Sequence, residues 1–196
     1  MANTQTHDDP PIITPDDLDP RWNWERPIPS PGRMNVDFEE RVDFRRLHRY
    51  RVARAQQALA ASELGAVLVF DANNIRYLTS SVIGEWSRDK ITRYALFTGS
   101  SDPYLWDFGS AATHHRLFAP WLKDDHCRAG MIGLRGAVKE ELGLFKRAAE
   151  ELAQVLKAEG VADMPLGVDI IEPPMMHALQ AEGIDVRDCL LYTSDA

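Results

Sequence analysis

The chain has 196 residues, of which 44% are apolar and 27% charged, and its net charge is −8. This suits one globular domain with an attached tail, and the acidic balance argues against nucleic acid or an anionic membrane, since both call for a positive field. No run of 18 apolar residues occurs, no basic-then-apolar leader opens the chain, and Cys127 and Cys189 are too few for a secreted disulfide framework. The default setting is a reducing cytoplasm.

Residues 1–37 form a proline-rich arm holding seven of the twelve prolines, from Pro10 to Pro31. Proline lacks an amide donor and restricts its neighbour, so this arm is expected to be extended or irregular. Trp22 and Trp24 leave open whether it docks on the body or on another chain, because indoles are costly to keep in water. From Val42 to Ser62 the period is helical, with Phe44, Leu47, Ala55, Ala58 and Leu59 on one arc and Arg45, Arg46, Arg49 and Arg54 elsewhere; Gly65 reads as the stop. Ala66 to Phe70 is a short apolar run suited to a buried central strand, and Asp71 to Asn74 reads as the turn that ends it.

Arg93 to Thr98 predicts a strand, Gly99 to Pro103 a turn, and Tyr104 to Asp107 the hairpin partner. A short helix is expected over Ser110–Phe118, stopped by Pro120, then one further strand within Asp125–Met131. The longest helical period runs from Val138 to Ala158, with Val138, Leu142, Phe145, Ala149, Leu152 and Leu156 on one stripe, and Gly160 ends it. A strand over Pro165–Asp169, a helix over Pro173–Ala181 with proline in its first turn, and a last strand over Ile184–Arg187 follow. The alternation predicts a three-layer α/β domain over residues 38–188, its sheet made mixed by the hairpin.

Motifs for chemistry are missing. Gly130-Met-Ile-Gly133 is not followed by the Gly-Lys-Ser/Thr of a phosphate loop, and no His-Glu-x-x-His, Cys-x-x-Cys or Gly-x-Ser-x-Gly occurs. The nearest approach to a metal cluster is Asp107, His114, His115, Asp124, Asp125 and His126; adjacent helical histidines diverge by about 100°, and solvated surface is the expected setting. Cys127, beside Arg128, reads as a buried structural thiol rather than a nucleophile, because no partner base can be identified.

The stretch Ala66-Val-Leu-Val-Phe-Asp-Ala-Asn-Asn-Ile-Arg-Tyr-Leu-Thr79 resembles the N-terminal domain of the creatinase, prolidase and aminopeptidase P family, and Leu166-Gly-Val-Asp169 with Gly183-Ile-Asp-Val186 resembles its closing strand–helix–strand. Phe70-Asp-x-x-Asn-Ile-Arg-Tyr77 and Tyr104-Leu-Trp-Asp-Phe108 look most like the metal-dependent dimethylsulfoniopropionate lyases within it. The resemblance implies a catalytic pita-bread domain, not contained in these residues, whose two Asp, one His and two Glu hold a divalent metal pair. It further implies that this chain has no cofactor or catalytic residue of its own. Its part would be dimer contact within the full-length homodimer and shaping of the neighbouring subunit's pocket for a small molecule or short peptide.

In creatinase-like members the loop after the Asn-Ile-x-Tyr turn carries an aromatic residue and, two positions on, an arginine. Here Gly84-Glu-Trp-Ser-Arg88 places Trp86 and Arg88 there as substrate-binding residues, indole as a wall and guanidinium as a carboxylate grip. The plainer reading, a surface loop whose Trp86 packs on the body, stays open, as do a non-catalytic protein-binding module on the same scaffold and an unrelated α/β domain. The last residues, 189–196, resemble a translated transposon-end adapter, which makes them an expected non-native tail and the chain an expected truncation.

Overall fold

The computed structural model describes residues 43–81, 93–107, 109, 111–131 and 139–189. The proline-rich arm, Trp86, Arg88 and the tail beyond Cys189 lie outside the described residues. The chain divides into two compact units, Met1–Phe44 and Arg45–Ala196, and nearly all described residues belong to the second.

Five helices, six strands and two short 3₁₀ turns are described. In chain order they are α1 (Phe44–Ala60), β1 (Ala66–Val69), α2 (Ala72–Thr79), β2 (Tyr94–Phe97), β3 (Tyr104–Asp107), α3 (Ala111–Phe118), a 3₁₀ turn (Asp124–His126), β4 (Cys127–Ala129), a second 3₁₀ turn (Glu140–Leu142), α4 (Leu144–Ala158), β5 (Leu166–Val168), α5 (Pro173–Ala181) and β6 (Val186–Asp188). The strands form one sheet in the order β4-β3-β2-β1-β5-β6. β2 runs antiparallel to both β1 and β3, while β1–β5, β5–β6 and β3–β4 are parallel. The tight Gly99–Pro103 connection forces the antiparallel pair, whereas the parallel pairs need helical crossovers. The result is the expected α/β fold, a mixed sheet flanked by helices.

Strand alternation splits the core in two. Leu68, Phe70, Tyr94, Leu96, Tyr104, Trp106, Leu166 and Val168 pack with Ala149, Leu152, Leu156, Met175 and Leu179 of α4 and α5. Val69, Ala95, Phe97, Leu105 and Cys127 pack with Val52 and Leu59 of α1 and with Ile75 and Leu78 of α2.

Three local readings change. Asp71 does not close a free turn: it is the N-cap of α2, its Oδ1 accepting from Asn73 N at 2.9 Å and Asn74 N at 3.4 Å. An Asx turn and a helix cap begin with the same geometry, and burial of Ile75 and Leu78 carries the chain on into a helix. The long C-terminal helix starts at Leu144, and the expected start at Val138 lies outside the described residues: Gly143 sits at φ +60°, a left-handed conformation that breaks the helical path, so Leu142 is 57% exposed rather than on the core stripe. Gly65 acts through close approach rather than as a helix stop, since a Cβ there would lie 2.5 Å from Met164 Cβ.

Candidate functional site

Three junctions of polar groups hold the sheet ends, and one ties together residues 81 and 93, between which residues 82–92 lie outside the described residues. α2 ends at Ser80, whose φ of +50° turns the chain sharply away from the helix. Thr79 Oγ1 donates to Ile75 O at 2.7 Å and lies 2.6 Å from Ser81 Oγ. Ser81 Oγ accepts from an Arg93 Nη at 2.6 Å, so the residues flanking the loop, 81 and 93, are tied directly to each other. Arg93 Nε lies 3.1 Å from Asp107 Oδ2, which is also 2.9 Å from His115 Nε2. Arg93, Asp107 and His115 are 3%, 1% and 2% exposed. Burial pulls the Arg93 guanidinium below its usual range, and Asp107 opposes that shift. A guanidinium retains its charge under such conditions, so Asp107 serves as its buried counter-ion.

This overturns part of the expected solvated cluster. His114, Asp124 and Asp125 are exposed as expected, but Asp107, His115 and His126 are buried. His126 stacks on the Tyr104 ring with centroids 3.7 Å apart, and its Nδ1 lies 2.8 Å from Asp102 O. The sequence misses the burial because an isolated Asp or His reads as polar surface, whereas pairing within the fold compensates it. Among the described residues no group of three or more His, Cys, Asp or Glu is placed to hold a metal ion. Asp107 and His115 do not fit one as they stand, because Arg93 already neutralises the carboxylate they share.

The second junction joins two stretches that lie far apart in sequence. Asp169, at the end of β5, accepts from Phe70 N at 2.8 Å and Ile170 N at 2.5 Å through Oδ1, and from Asp71 N at 3.0 Å and Asn74 Nδ2 at 2.9 Å through Oδ2. The Phe70-Asp-x-x-Asn and Leu-Gly-Val-Asp segments therefore meet in space, and one carboxylate fixes where α2 leaves the sheet.

The third junction was not anticipated. Glu159, just after α4, accepts from the hydroxyls of Tyr104 at 2.6 Å, Thr98 and Ser101 each at 3.2 Å, and Ser100. Burial pushes the Glu159 carboxyl up, but the donors from Ser100, Tyr104, Thr98 and Ser101 together hold it below its usual value. The Tyr104 phenol is pushed up to about 12, by burial first and then by Glu159. The four hydroxyls within one seven-residue stretch, 98–104, were the available signal.

Cys127 is fully buried and its thiol is raised to about 11, chiefly by burial, which makes it a poor nucleophile. A groove of about 630 Å³ between α4 and α5 is lined, among the described residues, by Lys139, Gly143, Leu144, Phe145, Lys146, Pro174, His177 and Ala178, none of which carries a hydroxyl, thiol or carboxylate side chain. No described helix is long and apolar enough to cross a membrane.

No family model matches the chain. It is 25% identical over 147 residues to the dimethylsulfoniopropionate lyase DddP of Roseovarius nubinhibens, a match covering 74% of this chain and 32% of the lyase. Among solved structures, an Xaa-Pro dipeptidase of Bacillus anthracis is 13% identical with a TM-score of 0.48, covering 74% of this chain and 34% of that one. The creatinase/prolidase N-terminal domain of an X-Pro dipeptidase from Streptococcus pyogenes is 14% identical with a TM-score of 0.46, covering 75% of this chain and 98% of that domain. The chain thus spans about a third of the length of the lyase and of the full-length dipeptidase.

Proposed function

We propose that this chain is the non-catalytic N-terminal domain of a creatinase- or Xaa-Pro-peptidase-like metallohydrolase, or of a lyase of the dimethylsulfoniopropionate kind. In that reading it forms part of a cytoplasmic homodimer and completes the neighbouring subunit's pocket through Trp86 and Arg88. The divalent metal pair and its five ligands then belong to other polypeptide.

The observation that carries the proposal is the buried Ser81–Arg93–Asp107–His115 chain. A connecting segment with no task needs no buried ion pair where it joins the sheet. Burying a charge costs several kcal/mol before its partner compensates, so such a pair is better explained by positioning than by stability. The likeness to the lyase supports the same reading and favours the lyase branch. The aromatic layer Tyr94–Trp106–Tyr104 stacks in the core that α4 covers, as suits a scaffold.

In the complete enzyme, Trp86→Ala should raise KM about tenfold with little change in kcat, because a ground-state contact of about 1.4 kcal/mol is lost. Steady-state kinetics with intact folding decides it, and unchanged KM would reject the assignment. Determining the genomic sequence that follows codon 188 tests the scaffold itself: two Asp, one His and two Glu in a downstream domain are expected, and a natural stop would refute it.

A further inference from the structure

We infer that the outer face of α1, extended by the end of α2, is a docking surface for a carboxylate-rich protein partner. This inference does not depend on the reading above.

α1 carries Arg45, Arg46, Arg49, Arg51 and Arg54 within seventeen residues, and no Asp or Glu. Residues 44–81 hold six arginines against only Glu63 and Asp71, whereas residues 139–189 hold five basic against eleven acidic residues. These segments supply helices to opposite faces of the sheet. The helical segments on the two faces of the sheet therefore differ in the sign of their charge.

The arrangement is poor for an isolated helix. Arg45 and Arg46 occupy the first turn, which contains no Asp or Glu and where the macrodipole is already positive. Arg45 and Arg49 stand four residues apart and repel. Among the described residues, no carboxylate pairs with Arg45, Arg49, Arg51 or Arg54. Two of these guanidiniums are held instead by exposed tyrosines. Arg54 donates to Tyr50 Oη at 3.2 Å, and Arg51 lies 5.4 Å from the Tyr77 ring centroid. Tyr50 and Tyr77 are 58% and 38% exposed. Pre-oriented arginines beside exposed tyrosines are the residue types that dominate binding energy in protein interfaces.

Charge selects the occupant. Two copies meeting through α1 about a two-fold axis would set arginine against arginine. A nucleic acid strand or anionic membrane extends beyond the patch, which at 1.5 Å per residue is only about 26 Å long, and would run over the acidic remainder. A compact cluster of carboxylates matches both the extent of the patch and the forked donors of arginine.

The test uses the whole chain and a fluorescein-labelled eighteen-residue peptide, six repeats of Glu-Glu-Leu, read by anisotropy. Binding should weaken at least about tenfold between 50 and 200 mM salt, as expected for several charge contacts. The variant R45E/R49E/R54E should lose at least about tenfold in affinity, while K139E/K146E/K157E, with the same net charge, should bind like the parent. Circular dichroism checks that both fold; if the first does not, R49Q alone should weaken binding about threefold at unchanged Tm. Equal binding by parent and arginine variants overturns the proposal. Tighter arginine-dependent binding of an eighteen-nucleotide RNA, or of vesicles containing phosphatidylserine, also overturns it by assigning the surface to a different polyanion.

Discussion

Beneath α4 and α5 the sheet presents Phe70, Tyr94, Tyr104 and Trp106, whose neighbouring ring centroids lie 5.2–6.0 Å apart, with α4 supplying Leu152 and Leu156. Beneath α1 and α2 it presents one ring, Phe97, among smaller groups such as Val69, Ala95 and Leu105, and the same face also carries Arg93, Asp107 and His115. His48 of α1 is buried beside Trp121, with neither ring nitrogen hydrogen-bonded. One face therefore gains stability from apolar area, and the other spends part of its interior on polar groups that set the geometry of chain ends. The lesson is that a buried polar group at a loop base is evidence about the loop rather than about the core.

The comparison breaks most directly at Asp107. Asp107→Ala leaves the Arg93 charge buried without its counter-ion and should cost about 3–5 kcal/mol, read by chemical denaturation. Replacing both partners by apolar residues, Arg93→Met with Asp107→Leu, should cost less than that single change; a larger cost would mean that the pair itself stabilises the fold. On the opposite face Leu152→Ala, at a fully buried position, should cost about 2–5 kcal/mol through lost burial and an unfilled cavity. It should leave the 82–92 segment as accessible to protease as in the parent, whereas the Asp107 change should increase cleavage there.

Asp71→Ala removes the α2 cap and should cost about 1 kcal/mol. The smallest effect is a dependence on pH. Burial holds the His48 imidazole below its usual 6.5, with Asp102 opposing and Arg51 adding to the shift. The unfolded chain then binds the proton more readily, so this contribution is complete above pH 6.5 and lost as pH falls towards the folded value. Glu159, also depressed, adds a similar loss at lower pH as its hydroxyl-held carboxylate is protonated. Tyr104, raised to about 12, acts in the opposite sense, withdrawing stability as pH rises from 10 towards 12. His48→Leu should flatten the slope between pH 6.5 and 5, checked by Tm against pH; an unchanged slope would remove His48 as its source.

Much of the fold was legible in the residues. The β1, β2 and β3 runs, the Gly99–Pro103 turn and the α5 bounds follow from period, turn chemistry and the proline at the α5 start. Leu142 reads as a core position because its spacing fits the α4 stripe, and only the backbone at Gly143 reveals that the stripe is interrupted. The polar junctions were less legible. Asp169 reads as the end of a strand, and nothing nearby in sequence signals the backbone amides of Phe70 and Asp71, about a hundred residues earlier. His115 reads as one of two adjacent surface histidines until α3 is laid against β3.

By itself, the sequence determined which stretches are strand or helix and which face of each is apolar, because side-chain direction repeats every 2 or 3.6 residues along a local segment. It also determined the arginine-rich, acid-free character of α1. Tertiary structure alone decided that Arg93 meets Ser81 and Asp107, that Asn74 meets Asp169, and that Tyr104 meets Glu159. Those pairings depend on the strand order β4-β3-β2-β1-β5-β6. A polar side chain's partner is fixed by which strands become neighbours, and no local period carries that information.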